Sequence, residues 1–209
     1  VRAWSPRHLA WAVRLSFAQP LDRLVRDDYQ TQVELAQERV GRLDEAIEQA
    51  VPSSPLAPRI LAQRALRGVD TVTAATVVAE WGEMGRFVGP RQLMGYSGLV
   101  PSESSSGAAV HGGPITKTGS AYLRRVLIQA AFAYRHRPFL GTTLRQRQRG
   151  QPEAIRRISW KAQQRLHQLH RRLLGRGKRH QKVVVAVARE LIGFMWAIDR
   201  EVSRSLQPA

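Results

Sequence analysis

The chain has 209 residues, 43% of them hydrophobic, with 33 Lys/Arg against 16 Asp/Glu and a formal net charge of +17. That length holds one large domain, or one domain with an extension, around a real core. It contains no cysteine, which excludes disulfides, thiolate metal sites and a cysteine nucleophile.

The charge is uneven. Residues 1–50 carry a net −1, residues 51–140 a net +6 and residues 141–209 a net +12. Such a field attracts polyanions, nucleic acid first among them. An anionic membrane would want a basic helix with aromatics on its apolar face, and that pattern is not clear here. Arg14 interrupts the apolar piece Leu9–Phe17, so no signal peptide is read. The apolar run Val183–Ile198 contains Arg189 and Glu190 and reads as a buried helix. Nothing points to secretion, and a cytoplasmic, nucleoid-associated protein is expected. The first residue is Val, which fits either a literal reading of an alternative start or a piece of a longer protein.

Residues 1–20, with Trp4, Trp11 and Phe17, predict a short helix ending near Pro20. From Tyr29 the spacing is regular: Tyr29, Val33, Ala36, Val40, Leu43, Ile47 and Ala50 alternate steps of four and three. This predicts a helix over 21–50 with a heptad seam, either pairing protomers as a coiled coil or packing on its own domain. Val51–Pro58, with three prolines, reads as a linker. Arg59–Leu66 restarts a helix, followed by the turn Arg67–Asp70 and an apolar helix Ala74–Trp81. Helix, glycine-bearing turn, helix resembles the hairpin by which non-specific DNA binders present amides to phosphates. Asp70 there either repels a phosphate or caps the next helix; a purely structural hairpin has equal weight. Gly82–Gly89 is a loop anchored by Phe87, and Arg91–Ser97 a short helix.

Residues 98–119 form the organising loop. Ser102, Ser104, Ser105 and Ser106 are followed by His111-Gly112-Gly113-Pro114 and by Lys117; Val110–Ile115 could form a small hairpin about Gly112-Gly113. A helix over 120–135 opens with Arg124 and Arg125 near its start. Backbone amides at a helix N-terminus and nearby cations favour a phosphate, and a serine beside it can attack a phosphodiester. An ordinary polar loop is the competing reading, and no His-Asp pair is laid out for a triad. His111 reads as a loop residue or a phosphate contact.

Gly141–Gln151, with Arg145, Arg147 and Arg149 spaced by two, is expected to be mobile. A helix opening at Pro152 carries the stripe Ile155, Ile158, Ala162, Leu166, Leu169 and Leu173. After the basic turn Gly175–Arg179 comes a final helix, Lys182–Ile198. Residues 145–182 hold 13 Lys/Arg and one Glu, which favours phosphate contact over a merely solvated face. His167 and His170 have a metal-compatible spacing but cationic surroundings, and Asp70, Glu80, Glu83 and Glu103 show no pairing pattern, so no metal site is read.

Several pieces together carry a resemblance. They are Leu66-Arg67-Gly68-Val69 with Thr73-Ala74; Ala79-Glu80-Trp81-Gly82 with Phe87; Gly95–Glu103; Ser105-Ser106-Gly107; Ile115–Gly119; Leu123-Arg124-Arg125 with Ala130-Ala131; and Gly177-Lys178 with Lys182–Glu190. In these the chain resembles the C-terminal part of the insertion-sequence transposases of the one-ten class, also called one-one-six or nine-oh-two. The resemblance implies a transposase domain whose serine forms a covalent link to DNA. Position in the motif gives Ser106, with Ser105 as the alternative. It also implies a coiled coil that assembles protomers, a guide RNA, and an N-terminal domain resembling the RuvC resolvase fold whose acidic residues bind magnesium. Nothing in this chain maps onto that domain, and Asp70 stands where the pattern has glycine. No cofactor is therefore expected on this segment, and activity is expected to need the acidic domain.

The resulting expectation is a mainly α protein: a coiled-coil arm over 1–52, a transposase core with the serine loop over 53–140, and a basic helical pair of the same domain over 141–209. Ser106 would be the nucleophile. His111, Lys117, Arg124 and Arg125 would steady the phosphate, and Arg156, Arg157, Lys161, Arg165, Lys178 and Arg179 would hold DNA or guide RNA. The alternatives are a non-catalytic nucleic-acid-binding remnant that regulates transposition, and a basic structural protein unrelated to it.

Overall fold

The computed structural model describes residues 5–106 and 109–206, with the backbone alone described for 104–106 and 109–112. The architecture is mainly α, with one two-stranded antiparallel sheet among the described residues. The chain divides into two compact units, Val1–Ala46 and Ile47–Ala209.

In the first unit, α1 (Pro6–Val13) opens on Ser5, whose hydroxyl accepts from the His8 amide. It stops at Arg14, earlier than expected, because Pro20 opens the following helix rather than closing this one. Arg26 of α2 (Pro20–Ala50) donates to the carbonyls of Val13 and Leu15 at 2.8 and 3.0 Å, tying the connecting turn to the long helix. No residue of α2 is buried. The seam residues Tyr29, Val40 and Leu43 are more than half exposed.

The second unit starts with the last turn of α2, where Ile47 packs against the core and Glu48 accepts from Thr71 at 3.3 Å. The expected proline linker is instead a 3-10 turn, Val51–Ser53, with Val51 buried. Its apolar side chain outweighs the breaker signal of its prolines. Then follow α3 (Ala57–Gln63), α4 (Thr71–Trp81), α5 (Pro90–Tyr96), strands β1 (Pro101–Ser106) and β2 (Ala109–Ile115), α6 (Ala121–Ala131), α7 (Thr142–Gln148), α8 (Glu153–Gly175) and α9 (His180–Leu206).

Helix α9 is the centre. Its buried residues Val183, Val184, Val187, Ala188, Leu191, Ile192, Met195 and Ile198 cover more than one face, so it packs against α3, α5, α6 and α8 at once. The stripe expected on α8 is buried at Ile155, Ala162, Leu166 and Leu169. Gln63 of α3 donates to the Met195 carbonyl at 2.8 Å inside this core. No described helix is long and apolar enough to cross a membrane.

The α3–α4 hairpin is pressed into the domain. Gly68, at φ +78°, lies so close to α6 that a Cβ would sit 2.5 Å from the Ala130 carbonyl oxygen. Val69 is fully buried. Asp70 takes the capping role, accepting from the Thr73 amide at 2.8 Å.

The segment 141–151, expected to be mobile, contains α7. Its arginines alternate, but Leu144 and Gln148 are four apart and both buried. Gln148 donates to the Ala65 carbonyl at 2.9 Å, and Arg147 donates to the Val69 carbonyl. These bonds fasten α7 to the hairpin turn.

Tyr134 is fully buried, and its hydroxyl has no hydrogen-bond partner among the described residues. Burial pushes its pKa up, against the opposing pull of Arg67 and Arg147. Deleting a buried, unpaired hydroxyl at constant shape removes a desolvation penalty, so Tyr134→Phe is expected to stabilise the fold by about 1 kcal/mol in urea unfolding.

Candidate functional site

The serine stretch is a strand. β1 and β2 pair with Ser104 opposite His111, Ser105 opposite Val110 and Ser106 opposite Ala109, the last pair of the ladder. The hairpin is longer than expected and is not turned about Gly112-Gly113. Those glycines lie within β2, next to a register irregularity between Pro101 and Glu103. The Ser102 hydroxyl, donating to the Pro114 carbonyl at 2.9 Å, occupies the space a Cβ on Gly113 would take, so a side chain there would displace that hydroxyl. The side chains of Ser105, Ser106 and His111 lie outside the described residues.

The base of the hairpin is built from the core outward. Trp81 donates to the Ser97 hydroxyl at 3.0 Å, which donates to the Leu93 carbonyl at 2.8 Å; both side chains are fully buried. This fixes the end of α5 just before Gly98. The Lys117 amide donates to the Gly98 carbonyl at 3.1 Å and the Thr116 amide to that of Val100 at 2.9 Å. Thr118 then donates through its hydroxyl to the Gly95 carbonyl at 3.0 Å. Lys117 is exposed and holds φ +59°, a left-handed conformation that costs a non-glycine residue about 1 kcal/mol.

Helix α6 starts beside this base. Ser120 caps it, accepting from the Leu123 amide, and donates to Glu80 of α4 at 2.8 Å. The sequence offered Glu80 only as an unpaired carboxylate; its contact with the cap gives it a structural role. Arg124 is half-buried. It donates to the carbonyls of Thr118 and Gly119 and so braces the loop. Arg125 is exposed, 5.7 Å from the centre of the exposed Tyr122 ring. Lys117 and Arg125 are thus the outward cations of this end.

Two further cations flank the hairpin. An open cleft of about 630 Å³ lies between its base (Leu99, Pro101, Pro114 and Ile115) and α9, where Lys182 and Arg189 form part of the wall. Sequence reasoning counted Lys182 in the basic run 145–182 but assigned Arg189 no phosphate-binding role. Their spacing of seven, two helical turns, was the available signal.

The remaining predicted contacts sit on α8 and the turn after it. Arg156, Arg157 and Lys161 are exposed. Arg165 is half committed, since its guanidinium grips Glu190 with two contacts of 3.2 Å. Lys178 and Arg179 are exposed in the turn leading into α9. The structure therefore brings Lys117, Arg124 and Arg125 together around the hairpin base, and places Arg156, Arg157, Lys161 and Arg165 on a separate helix.

The histidines form a separate cluster. The His167 Nδ1 lies 3.2 Å from the Tyr134 carbonyl oxygen, and the His170 ring stands edge-on to His180 with centroids 5.8 Å apart. Burial, then the neighbouring His180, His167 and Arg135, lowers the His170 pKa. Among the described residues no group of three or more His, Asp or Glu side chains could hold a metal ion. Three carboxylates are engaged elsewhere: Asp70 caps a helix, Glu80 takes Ser120, and Asp199 faces Arg59 at 3.5 Å.

Comparison with known proteins matches this region. Residues 63–139, from the end of α3 through the hairpin and α6, match the profile described as the Transposase IS116/IS110/IS902 family. The chain is 41% identical over 204 residues to the candidate transposase y4qE of Sinorhizobium fredii, covering 98% of this chain and 49% of that protein. It is 25% identical over 183 residues to the transposase for insertion sequence element IS1533 of Leptospira borgpetersenii, covering 84% of this chain and 51% of the relative. It is 26% identical over 159 residues to an uncharacterised 43.6 kDa protein of insertion element IS110 in Streptomyces coelicolor, covering 76% and 32%. The chain thus spans about half the length, or less, of these relatives. Across the hairpin, its base and the helix that follows it, the chain matches the IS116/IS110/IS902 family of transposases.

Proposed function

We propose that this chain carries the serine-bearing half of a DNA transposase, and that Ser106, with Ser105 as the alternative, attacks a DNA phosphodiester. The observation that carries the reading is the family match over residues 63–139, which contains the hairpin bearing these serines. In the step, the serine oxygen forms a bond to phosphorus and the phosphorus–oxygen bond to one deoxyribose breaks. The hydroxyl proton passes to a base, and the departing sugar oxygen takes up a proton. One phosphate ester replaces another, so the phosphodiester energy is kept for rejoining. Lys117 and Arg125 offer charge to the phosphate, and Arg124 holds the loop that presents them. His111, across the ladder from Ser104, is the nearest candidate base in register.

Magnesium belongs to the acidic domain that the family resemblance implies. The described residues do not fit a magnesium site, and no step is drawn through one. DNA is the substrate, guide RNA a second partner, and the exposed seam of α2 pairs protomers as a coiled coil; the protein acts at the nucleoid in the cytoplasm.

The test supplies the chain, a metal-binding domain, the element's RNA and magnesium to supercoiled DNA bearing element ends. Cleaved or joined DNA is the expected product. Salt-sensitive binding without cleavage favours the second reading, a nucleic-acid-binding regulator of transposition, which the cationic face of α8 supports.

A further inference from the structure

We infer that the face formed by α7 and the first turns of α8 is a binding groove for unpaired nucleotides, with Trp160 as the stacking platform. The inference deepens the proposed function and rests on it. Two adjoining depressions, of about 550 and 510 Å³, share Leu140, Gln148 and Arg156 and so form one continuous groove. Arg145 and Arg149 line one end, and Arg157 and Lys161 the other. The single carboxylate of the lining, Glu153, stands 3.9 Å from Arg157 on an exposed surface.

An indole lies among these cations. Trp160 lines the groove and is 38% exposed, and the neighbouring Phe139 is 63% exposed. Three other rings, Phe87, Tyr122 and Trp196, each have one of the chain's own guanidinium groups within 6 Å of the ring centre. Among the described residues neither a guanidinium nor another ring stacks on Trp160. Duplex phosphates need only the cations. An open indole and an apolar Leu140 between them suit bases that have left the stack.

The experiment measures fluorescence anisotropy of a labelled oligonucleotide of about 12 residues, as single-stranded DNA, as single-stranded RNA, and as DNA duplex. Trp160→Leu is expected to weaken both single strands roughly 10-fold and the duplex by less than about 2-fold, with an unchanged salt slope. Trp160→Phe should keep most of the affinity. Arg156→Gln with Arg157→Gln should weaken all three probes and flatten the salt slope by about 2. A preference of the tryptophan effect for RNA or for DNA identifies which strand the groove takes. Equal loss on single strand and duplex, or no loss on either, with circular dichroism unchanged, overturns the inference. Wild-type binding to duplex alone overturns this inference and leaves the proposed function standing. No binding to any probe overturns both.

Discussion

Gly98→Ala is expected to destabilise the protein by about 3 kcal/mol, combining the cost of a left-handed alanine with backbone overlap. Gly98 holds φ +66°, and a Cβ there would lie 2.3 Å from the Thr118 oxygen, 2.5 Å from its nitrogen and 2.8 Å from the Lys117 carbonyl carbon. All three atoms are backbone, so no side chain can swing aside. Relief requires opening the hairpin base, where Gly98 accepts the Lys117 amide. Gly177→Ala is the control. It has a similar φ of +71° but nothing within 4 Å, and is expected to cost only about 1 kcal/mol. Urea unfolding of the two variants measures both. Equal losses would mean that the contact with residues 117–118 carries no weight.

The second large effect concerns chemistry. Ser106→Ala is expected to remove a covalent protein–DNA adduct, lowering its rate of formation by roughly 10⁴-fold or more, as loss of a nucleophile does. Ser105→Ala is expected to leave the adduct in place. The two serines are adjacent in β1 but occupy different ladder positions, Ser105 opposite Val110 and Ser106 in the terminal pair with Ala109. The terminal pair borders the connection between the strands. Both variants should unfold at the wild-type urea concentration, because a serine-to-alanine change leaves the backbone pairing of β1 with β2 in place.

Helices with a clear apolar period were legible in the sequence. The α2 range, the Asp70 cap as one of two open readings, the α8 stripe and the burial of the C-terminal helix follow from spacing and local chemistry. What was missed shares a cause. Ser104–Ser106 have weak strand propensity and no alternating apolar pattern, so their pairing with β2 depends on a base fastened by Trp81, Ser97, Gly98 and Lys117, residues scattered over 36 positions. Helix α7 was hidden because its arginines alternate, while the residues that fasten it, Arg147 and Gln148, bond to carbonyls about 80 positions earlier. At the candidate site, the serines and outward cations were visible by type. The bracing role of Arg124, the cap contact of Glu80 and the cleft cations Lys182 and Arg189 were not, since each depends on what faces it across the fold.

The most direct test of the central claim is to trap the protein–DNA complex during cleavage, digest it, and locate the modified residue by peptide mass spectrometry. The account predicts a phosphodeoxynucleotide on Ser106, absent from the Ser106→Ala protein and present in Ser105→Ala. Cleavage with no protein-linked DNA, or DNA linked outside the hairpin 101–115, would contradict it.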